Sequence, residues 1–291
     1  MSTVAERFNK FLSNIQLTSA QIQDAQKSYN GVCKKLHDHY YASSYDGSTK
    51  LLVGSYGKKT AIAPPTDIDV LFIMPYGEFD RYNSYSGNGQ SQLLQDIKNI
   101  LLEKYPDTYM RGDGQVVMVN FVSYNVEVIP GFLLKNGDYY IPDTHSGGSW
   151  KEASPKSEIE NLTNSNKRSN GNTIKLIKMI KAWKYHCNVP IKSLVVELRA
   201  VDFLKNWEYY DKSSTYYDWM IRDFLRELLN CVNASCKIPG IDEKISFGDE
   251  WESKAKSALN RAEKACEFES KEDYRSATQE WKKIFGDRFE Y

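Results

Sequence analysis

Three acidic residues at regular positions are the part of this sequence that could carry chemistry. Asp67 and Asp69 alternate with apolar residues in the stretch 67–74, and Glu127 stands alone among apolar residues in the stretch 124–130. Because residues i and i+2 of a strand point to the same face, Asp67 and Asp69 are expected to project together while their neighbours Ile68 and Val70 face the core.

Carboxylates held this close repel one another unless a cation lies between them. Mg²⁺ prefers oxygen ligands and is commonly shared between one or two carboxylates and the phosphates of a substrate. If the Glu127 strand lies beside the Asp67–Asp69 strand, the three carboxylates could hold two divalent ions, which suits in-line phosphoryl displacement. The plain alternative is an edge strand that carries two solvated aspartates after a tight turn.

A Gly54-Ser55 turn follows a short apolar run and supplies what a triphosphate needs. Glycine lets the backbone approach closely, and Ser55 offers a hydroxyl and an amide at an expected helix N-terminus. A P-loop is excluded because Gly57-Lys58 is followed by lysine and the fifth residue before Gly57 is Leu52. A nucleophile elbow is excluded because Gly54 adjoins Ser55 directly.

The elements that must position these residues form a helix, a mixed sheet and a helical block, which predicts an α+β fold with two lobes and a cleft. The first 42 residues are predicted to be helical, with a cap at Thr18 or Ser19. Arg111-Gly-Asp113 predicts a turn. Strands are predicted at Leu51–Val53, Asp67–Met74, Val116–Val122, Asn125–Ile129 and Tyr139–Ile141, around one helix that buries Leu93, Leu94, Ile97, Ile100 and Leu101. After about residue 155 only helices are predicted, at Ser157–Leu162, Thr173–Tyr185, Lys192–Trp207, Tyr216–Asn230, Trp251–Glu269 and Asp273–Phe285.

The balance of charged residues argues against one class of function. The 38 basic and 38 acidic residues cancel, which argues against a protein coated with positive charge for gripping a long nucleic acid. Between Asn161 and Val196, however, no residue is acidic, and this stretch predicts a local patch for phosphates. Its seven basic residues are Lys167, Arg168, Lys175, Lys178, Lys181, Lys184 and Lys192.

Five scattered cysteines without a Cys-x-x-Cys pair indicate reduced thiols and a cytoplasmic protein. Cys33 and His37 stand four residues apart on a predicted helix and could offer two zinc ligands, but a buried thiol and a surface imidazole are the favoured interpretation. No apolar run is long enough to span a membrane, and the first ten residues lack the apolar region of a secretory signal.

Taken together, the Gly-Ser turn, Asp-Ile-Asp and Val-Glu-Val resemble the polymerase-β-like nucleotidyltransferases. Within that superfamily, the chain more closely resembles the bacterial cyclic-oligonucleotide synthases (CD-NTases) related to cyclic GMP-AMP synthase and oligoadenylate synthase. The resemblance extends through three further stretches: Leu176-Ile-Lys-Met-Ile-Lys-Ala-Trp183, Ile191-Lys-Ser-Leu-Val-Val-Glu-Leu198 and Ala277–Phe289.

The resemblance implies a two-lobed polymerase-β-like fold, with a catalytic core and long N-terminal spine helix in residues 1–165 and a helical lobe in residues 166–291. It implies that Asp67, Asp69 and Glu127 bind Mg²⁺ or Mn²⁺, with Glu127 nearest the attacking hydroxyl. The triphosphate is then expected on a second group of residues, namely Gly54, Ser55, Lys181 and Ser193.

The implied activity joins nucleoside triphosphates, ATP among them, into a cyclic di- or trinucleotide and releases pyrophosphate. The implied partners are an effector protein that the product activates in antiphage defence, and a regulatory partner that binds or modifies the synthase. The C-terminus is one candidate location for that binding or modification. Neither a membrane nor a long nucleic acid is an expected partner.

Two alternatives stay open from the sequence: an RNA-tailing or CCA-adding nucleotidyltransferase, and a catalytically silent nucleotide-binding scaffold. Relatives often carry an aromatic residue directly after the serine, where it stacks on a base, but this chain has Leu194 there. The candidates for base stacking are therefore Trp150, Tyr56 and Tyr139.

Overall fold

Two helices, α1 (Val4–Asn14) and α2 (Ser19–Tyr40), precede the sheet in the computed structural model, which describes residues 3–65 and 67–290. Each begins with a capping box, in which Thr3 pairs with Glu6 and Thr18 pairs with Gln21. The cap predicted at Thr18 is confirmed, whereas the predicted helical segment is divided into two helices. Thr66 of the acidic motif and the C-terminal Tyr291 lie outside the described residues.

A seven-stranded mixed sheet follows, in the order β1-β2-β5-β4-β3, with β6 paired to β5 and β7 paired to β6. The contact between β2 and β5 is parallel, and the other strand pairs of this sheet are antiparallel. The strands are β1 (Lys50–Leu52), β2 (Ile68–Met74), β3 (Met110–Asp113), β4 (Val116–Asn120), β5 (Asn125–Leu133), β6 (Tyr139–Asp143) and β7 (Ser149–Ala153).

Five of these strands correspond to predicted ones, but β3 and β7 were not predicted. The turn expected at Arg111-Gly-Asp113 was wrong, because these residues pair with β4 as the end of β3. A Cβ on Gly112 would lie 3.0 Å from the Cβ of Leu94, so the glycine is there because the strand runs close beneath a helix.

Three helices lie between the strands: α3 (Gly54–Gly57), α4 (Phe79–Asn83) and α5 (Gly89–Leu102). Helices α2 and α5 cover one face of the sheet, where alternate residues of β2, beginning with Ile68 and Val70, are fully buried. The side chain of Asp69 therefore projects from the opposite face, as the alternation predicted.

The helical block comprises α6 (Pro155–Arg168), α7 (Asn172–His186), α8 (Ser193–Asn206), α9 (Tyr217–Leu229), α10 (Glu252–Ser270) and α11 (Tyr274–Phe285). All six predicted helices are present, with ends that differ by a few residues, except that α6 extends well past its predicted end. The expectation that no strand follows residue 155 was wrong, because β8 (Ser235–Lys237) and β9 (Lys244–Ser246) form a hairpin too short to show an alternating pattern.

Helix α1 contributes to the core of this block, where Phe8 contacts Trp281 and Phe289 edge to face. The division of the chain at residues 165 and 166 stays a prediction. Among the described residues, no helix is both long enough and apolar enough to cross a membrane.

Candidate active site

Asp69 and Glu127 lie side by side, because β2 and β5 pair in parallel with these two residues in register. Because paired residues of adjacent strands point to the same face of the sheet, their carboxyl groups are direct neighbours. Burial raises the pKa of both, and the negative charge of neighbouring carboxylates raises it further. The pair is therefore a site of concentrated negative charge that a cation would stabilise.

Asp67 lies one residue before β2, at the same end of the sheet. Its Oδ1 accepts a hydrogen bond of 2.9 Å from the side-chain amide of Asn125, the first residue of β5. Within residues 3–65 and 67–290, no three His, Cys, Asp or Glu side chains form a ready-made metal cage. The three acids are thus neighbours, but the carboxylate of Asp67 is hydrogen-bonded to Asn125 and does not complete a three-carboxylate cage with Asp69 and Glu127.

The donor set nevertheless fits a divalent ion. Mg²⁺ takes oxygen ligands, and it is usually bound through one or two carboxylates together with substrate phosphates and water rather than by an all-protein cage. Asp69 and Asp67 both line a cavity of about 700 Å³ in which such phosphates could lie.

Gly54 brings the backbone directly against Asp69. Its φ is +53°, and a Cβ at this position would lie 1.8 Å from Oδ2 of Asp69. A side chain is therefore excluded by both the left-handed backbone and the carboxylate. Ser55 is the second residue of the short helix α3 and lines the cavity together with Asp69.

The far wall of the cavity belongs to the helical block, where α7 contributes Lys181 and Lys184 and α8 begins with Ser193. Of the seven residues that the sequence predicted for the site, six line this one cavity, and Glu127 lies beside Asp69 on the next strand. The cleft thus brings together the predicted acids and the predicted phosphate-binding residues, whose roles stay predictions.

Lys181 is paired rather than free. Its Nζ donates to Oε1 of Glu197 and to Oγ1 of Thr60, both at 2.7 Å. Lys58 donates to the other oxygen of Glu197 at 2.8 Å and to Glu158 at 2.5 Å. Although burial raises it, the pKa of Glu197 lies below its ordinary value because the ammonium groups of Lys181 and Lys58 stabilise the carboxylate.

The prediction did not include this network. Glu197 was visible in the sequence as the one acid in the apolar run Leu194–Leu198, which is a signal that a buried partner exists. Its partners could not be identified, because Lys58 lies 139 residues away along the chain.

Lys184 was also not singled out as a site residue. Its Nζ donates to Oγ of Ser193 at 3.1 Å, and it has no salt bridge within the described part of the chain. Burial, and then the charge of Lys181, lowers the pKa of Lys184. An anion beside Ser193 would therefore meet an ammonium group whose charge is not already neutralised by a contacting carboxylate.

The three candidates for base stacking lie outside the cavity lining. Tyr139 is buried in a small cluster beneath the sheet, and Tyr56 packs against the sheet core. Trp150 packs against Phe79 and Phe132. These rings are used in packing.

A zinc site at Cys33 and His37 is not supported. Both ring nitrogens of His37 are hydrogen-bonded, to Thr49 Oγ1 at 3.0 Å and to the carbonyl of Ser43 at 2.9 Å. The expected surface imidazole was wrong, because His37 is buried. The buried thiol is confirmed, and burial raises the pKa of Cys33 to about 12.

Known proteins that are similar to this chain in sequence are synthases of nucleotide second messengers. The family model of the Second Messenger Oligonucleotide or Dinucleotide Synthetase domain matches residues 1–166. A probable cyclic nucleotide synthase of Bacillus cereus is 23% identical over 332 residues, which cover 99% of this chain and 98% of that protein. A cyclic AMP-AMP-AMP synthase of an Acinetobacter species is 23% identical over 296 residues, which cover 99% of this chain and 85% of that protein.

The fold is also similar to that of a solved protein, CdnC of E. coli MS115-1. Its structure with ATP aligns with a TM-score of 0.69 at 16% identity, over 99% of each chain. In a CdnC:HORMA-deltaN complex the TM-score is again 0.69, at 15% identity over 99% of this chain and 98% of that one. This likeness confirms the two-lobed α+β fold expected from the sequence.

Proposed function

Because the chain belongs to the Second Messenger Oligonucleotide or Dinucleotide Synthetase family, and is a nucleotidyltransferase of the CD-NTase type with a polymerase-β-like fold, we propose that it condenses nucleoside triphosphates into a cyclic di- or trinucleotide. The reaction depends on Mg²⁺ or Mn²⁺ and releases pyrophosphate. The observation that carries the proposal is the single cavity that contains Asp67, Asp69, the Gly54-Ser55 turn and the Lys184–Ser193 pair.

The cavity orients the triphosphate. Ser55 offers its hydroxyl and amide from the sheet side, and Gly54 lets the turn that carries Ser55 pack directly against Asp69. Ser193 and Lys184 bind phosphate oxygens from the helical side, and Lys181 lines the cavity beside them while it is paired with Glu197.

Asp67, Asp69 and Glu127 would hold the divalent ion, with Glu127 nearest the attacking hydroxyl. When bound, the ion neutralises charge on the triphosphate and makes the hydroxyl more acidic. The hydroxyl oxygen of one nucleotide forms a bond to the α-phosphorus of another, and the bond from that phosphorus to pyrophosphate breaks. The same transfer is repeated, each time with loss of pyrophosphate, and the last transfer, within the linear product, closes the ring.

The direct test is to incubate the protein with Mg²⁺ or Mn²⁺ and four labelled nucleoside triphosphates, treat the mixture with phosphatase, and resolve the products. A small phosphatase-resistant product supports the proposal. Products that form only when RNA is added would identify an RNA-tailing enzyme, and silence under all conditions, with candidate partners included, would identify a scaffold.

The matched variants are Asp67→Asn with Asp69→Asn, and Asp107→Asn as an exposed control. We expect the double variant to lose at least about a thousandfold in rate, because carboxylate oxygens are replaced by weaker amide ligands at the reacting centre. Asp107→Asn should be unchanged. Undiminished synthesis by the folded double variant would refute the metal assignment.

The biological setting is also a proposal. In bacteria the product would activate a separate effector in antiphage defence, and a regulatory protein would control synthesis, which the CdnC:HORMA-deltaN complex of a structural neighbour supports as a type of partner. A cytoplasmic location agrees with the five free cysteines. Phage infection of cells that express the chain with its genomic neighbours tests the role, with the double variant as the negative control.

A further inference from the structure

The phosphate chemistry does not use the apolar part of the cavity lining. That part comprises the segment 61–64, whose Ile62 packs against the core of the helical block, together with Val189 and Leu194. A triphosphate gains nothing from an apolar surface. A nucleobase, in contrast, can bury its flat apolar faces against one.

One aromatic residue, Tyr185, lies among the described residues that line the cavity. It occupies the last turn of α7, four residues after Lys181 and one after Lys184. Residues four apart lie on the same helix face, so Tyr185 continues the face that carries Lys181 into the cavity. Tyr185 is 58% exposed, although α7 is otherwise a largely buried helix.

The segment that contains Ile62 and Ala63 lines the same cavity as the ring of Tyr185 and is held in place. Tyr185 borders Ile62 and Ala63 in two cavities, the large one and a neighbouring one of about 220 Å³. The backbone of Ala63 is held from both sides, since its N–H donates to the carbonyl of Ile15 at 2.8 Å and its carbonyl accepts from Arg288. This segment therefore cannot collapse onto the ring without breaking contacts to two other parts of the chain.

We infer that Tyr185 stacks on the base of a bound nucleoside triphosphate whose phosphates lie at Ser55 and Ser193. The inference rests on the proposed function and identifies a base-binding residue that the sequence motifs did not indicate. In this chain the position after Ser193 is Leu194, which supplies apolar contact but no ring, so the aromatic surface comes from the preceding helix.

The test compares two ligands that share the phosphate chain and differ in the base. Calorimetry measures the binding of ATP and of inorganic tripolyphosphate, each with Mg²⁺, to the wild type and to Tyr185→Ala. Stacking of a base on an aromatic side chain corresponds to between about fivefold and a hundredfold in affinity. We expect Tyr185→Ala to lose that factor for ATP and nothing for tripolyphosphate.

Two controls separate stacking from structure. Tyr185→Phe keeps the ring and should bind ATP like the wild type, and Tyr109→Ala removes a similarly exposed tyrosine (64%) outside the cavity and should change neither ligand. Equal weakening of ATP and tripolyphosphate, or no weakening of either, would overturn the role of Tyr185.

Failure of the inference differs from failure of the proposed function. If the wild type makes cyclic product and binds both ligands while Tyr185→Ala behaves identically, only the stacking role is wrong. If the wild type makes no nucleotide product with any partner, the proposed function is itself wrong.

Discussion

Gly54 has a hydrogen atom where any other residue would place a Cβ into the carboxylate of Asp69. Rotation of the carboxylate alone cannot relieve the clash at 1.8 Å, because the added Cβ would also lie 2.6 Å from Cγ and 3.0 Å from Cβ of Asp69. Gly54→Ala must therefore move either the turn that carries Ser55 or the acid itself. Displacement of about 1 Å at a reacting centre can cost a hundredfold in rate.

We accordingly expect Gly54→Ala to reduce the initial rate of pyrophosphate release by about a hundredfold or more at saturating substrate. Gly77→Ala is the matched control, because no atom lies within 4 Å of its added Cβ and its activity should be unchanged. Circular dichroism checks that both variants are folded. A folded Gly54→Ala enzyme with wild-type rate would show that the close approach is not needed.

Residues of the site differ in how far the sequence reveals them. Asp67, Asp69 and Glu127 could be located because a polar residue in an apolar strand breaks a local pattern. Tyr185 and Lys58 break no pattern, since an aromatic at a helix end and a lysine in a turn are ordinary. They become part of the site only through contacts between distant segments, which propensity and periodicity do not encode.

At the scale of elements, the parallel register of β2 and β5 aligns Asp69 with Glu127, and a shift by one residue would turn every side chain of a strand to the other face. The long strands were predictable from their alternating pattern. The hairpin of β8 and β9 was not, because three residues per strand give no detectable period.

Glu197 connects three elements, because it pairs with Lys181 of α7 from its place on α8, and with Lys58 directly after α3. Replacing it by Gln leaves two buried ammonium groups with one fewer compensating charge. Removal of one member of a buried ion pair typically destabilises a protein by about 3–5 kcal/mol. We expect Glu197→Gln to lose free energy of unfolding in that range, measured by urea denaturation.

The control for this prediction is Glu267→Gln, which removes an exposed glutamate that pairs with Lys271. Exposed pairs contribute little, so its unfolding curve should overlay the wild type. If Glu197→Gln were as stable as Glu267→Gln, the buried ion pairs of Glu197 would contribute no more to the free energy of unfolding than an exposed pair does.

At the scale of the whole molecule, the cavity exists because two cores meet. One core lies between the sheet and the helices α2 and α5, and the other contains α1 with the C-terminal helices. The order of helical and strand segments predicted these layers, but it could not predict that α1 packs among helices far along the chain. Arg7 of α1, for example, is buried against Glu269 of α10.

The pH dependence of the free energy of unfolding reports on Asp218, a buried residue of the second core. Asp218 lies buried on α9, and one of its carboxylate oxygens has no hydrogen-bond partner. Burial raises its pKa to about 7, with a further contribution from the charge of Glu269, and a hydrogen bond from the backbone of Trp219 and the charge of Arg222 only partly oppose this. In the unfolded chain the group has its ordinary value of 3.8, so between pH 3.8 and about 7 it is ionised when unfolded and neutral when folded.

This difference in protonation determines whether stability rises or falls with pH. Because the folded state binds the extra proton, the free energy of unfolding falls as the pH rises from about 4 to about 7 and then stays level, by up to about 4 kcal/mol from this group. Asp218→Asn removes the titration, so its stability relative to the wild type should improve steadily across that range. Urea denaturation at pH 4.5, 6 and 7.5 on both proteins, with the fully exposed Asp287→Asn as control, measures the difference. Parallel pH profiles for Asp218→Asn and the wild type would show that Asp218 ionises in the folded protein as readily as in the unfolded chain, and that this core admits charge.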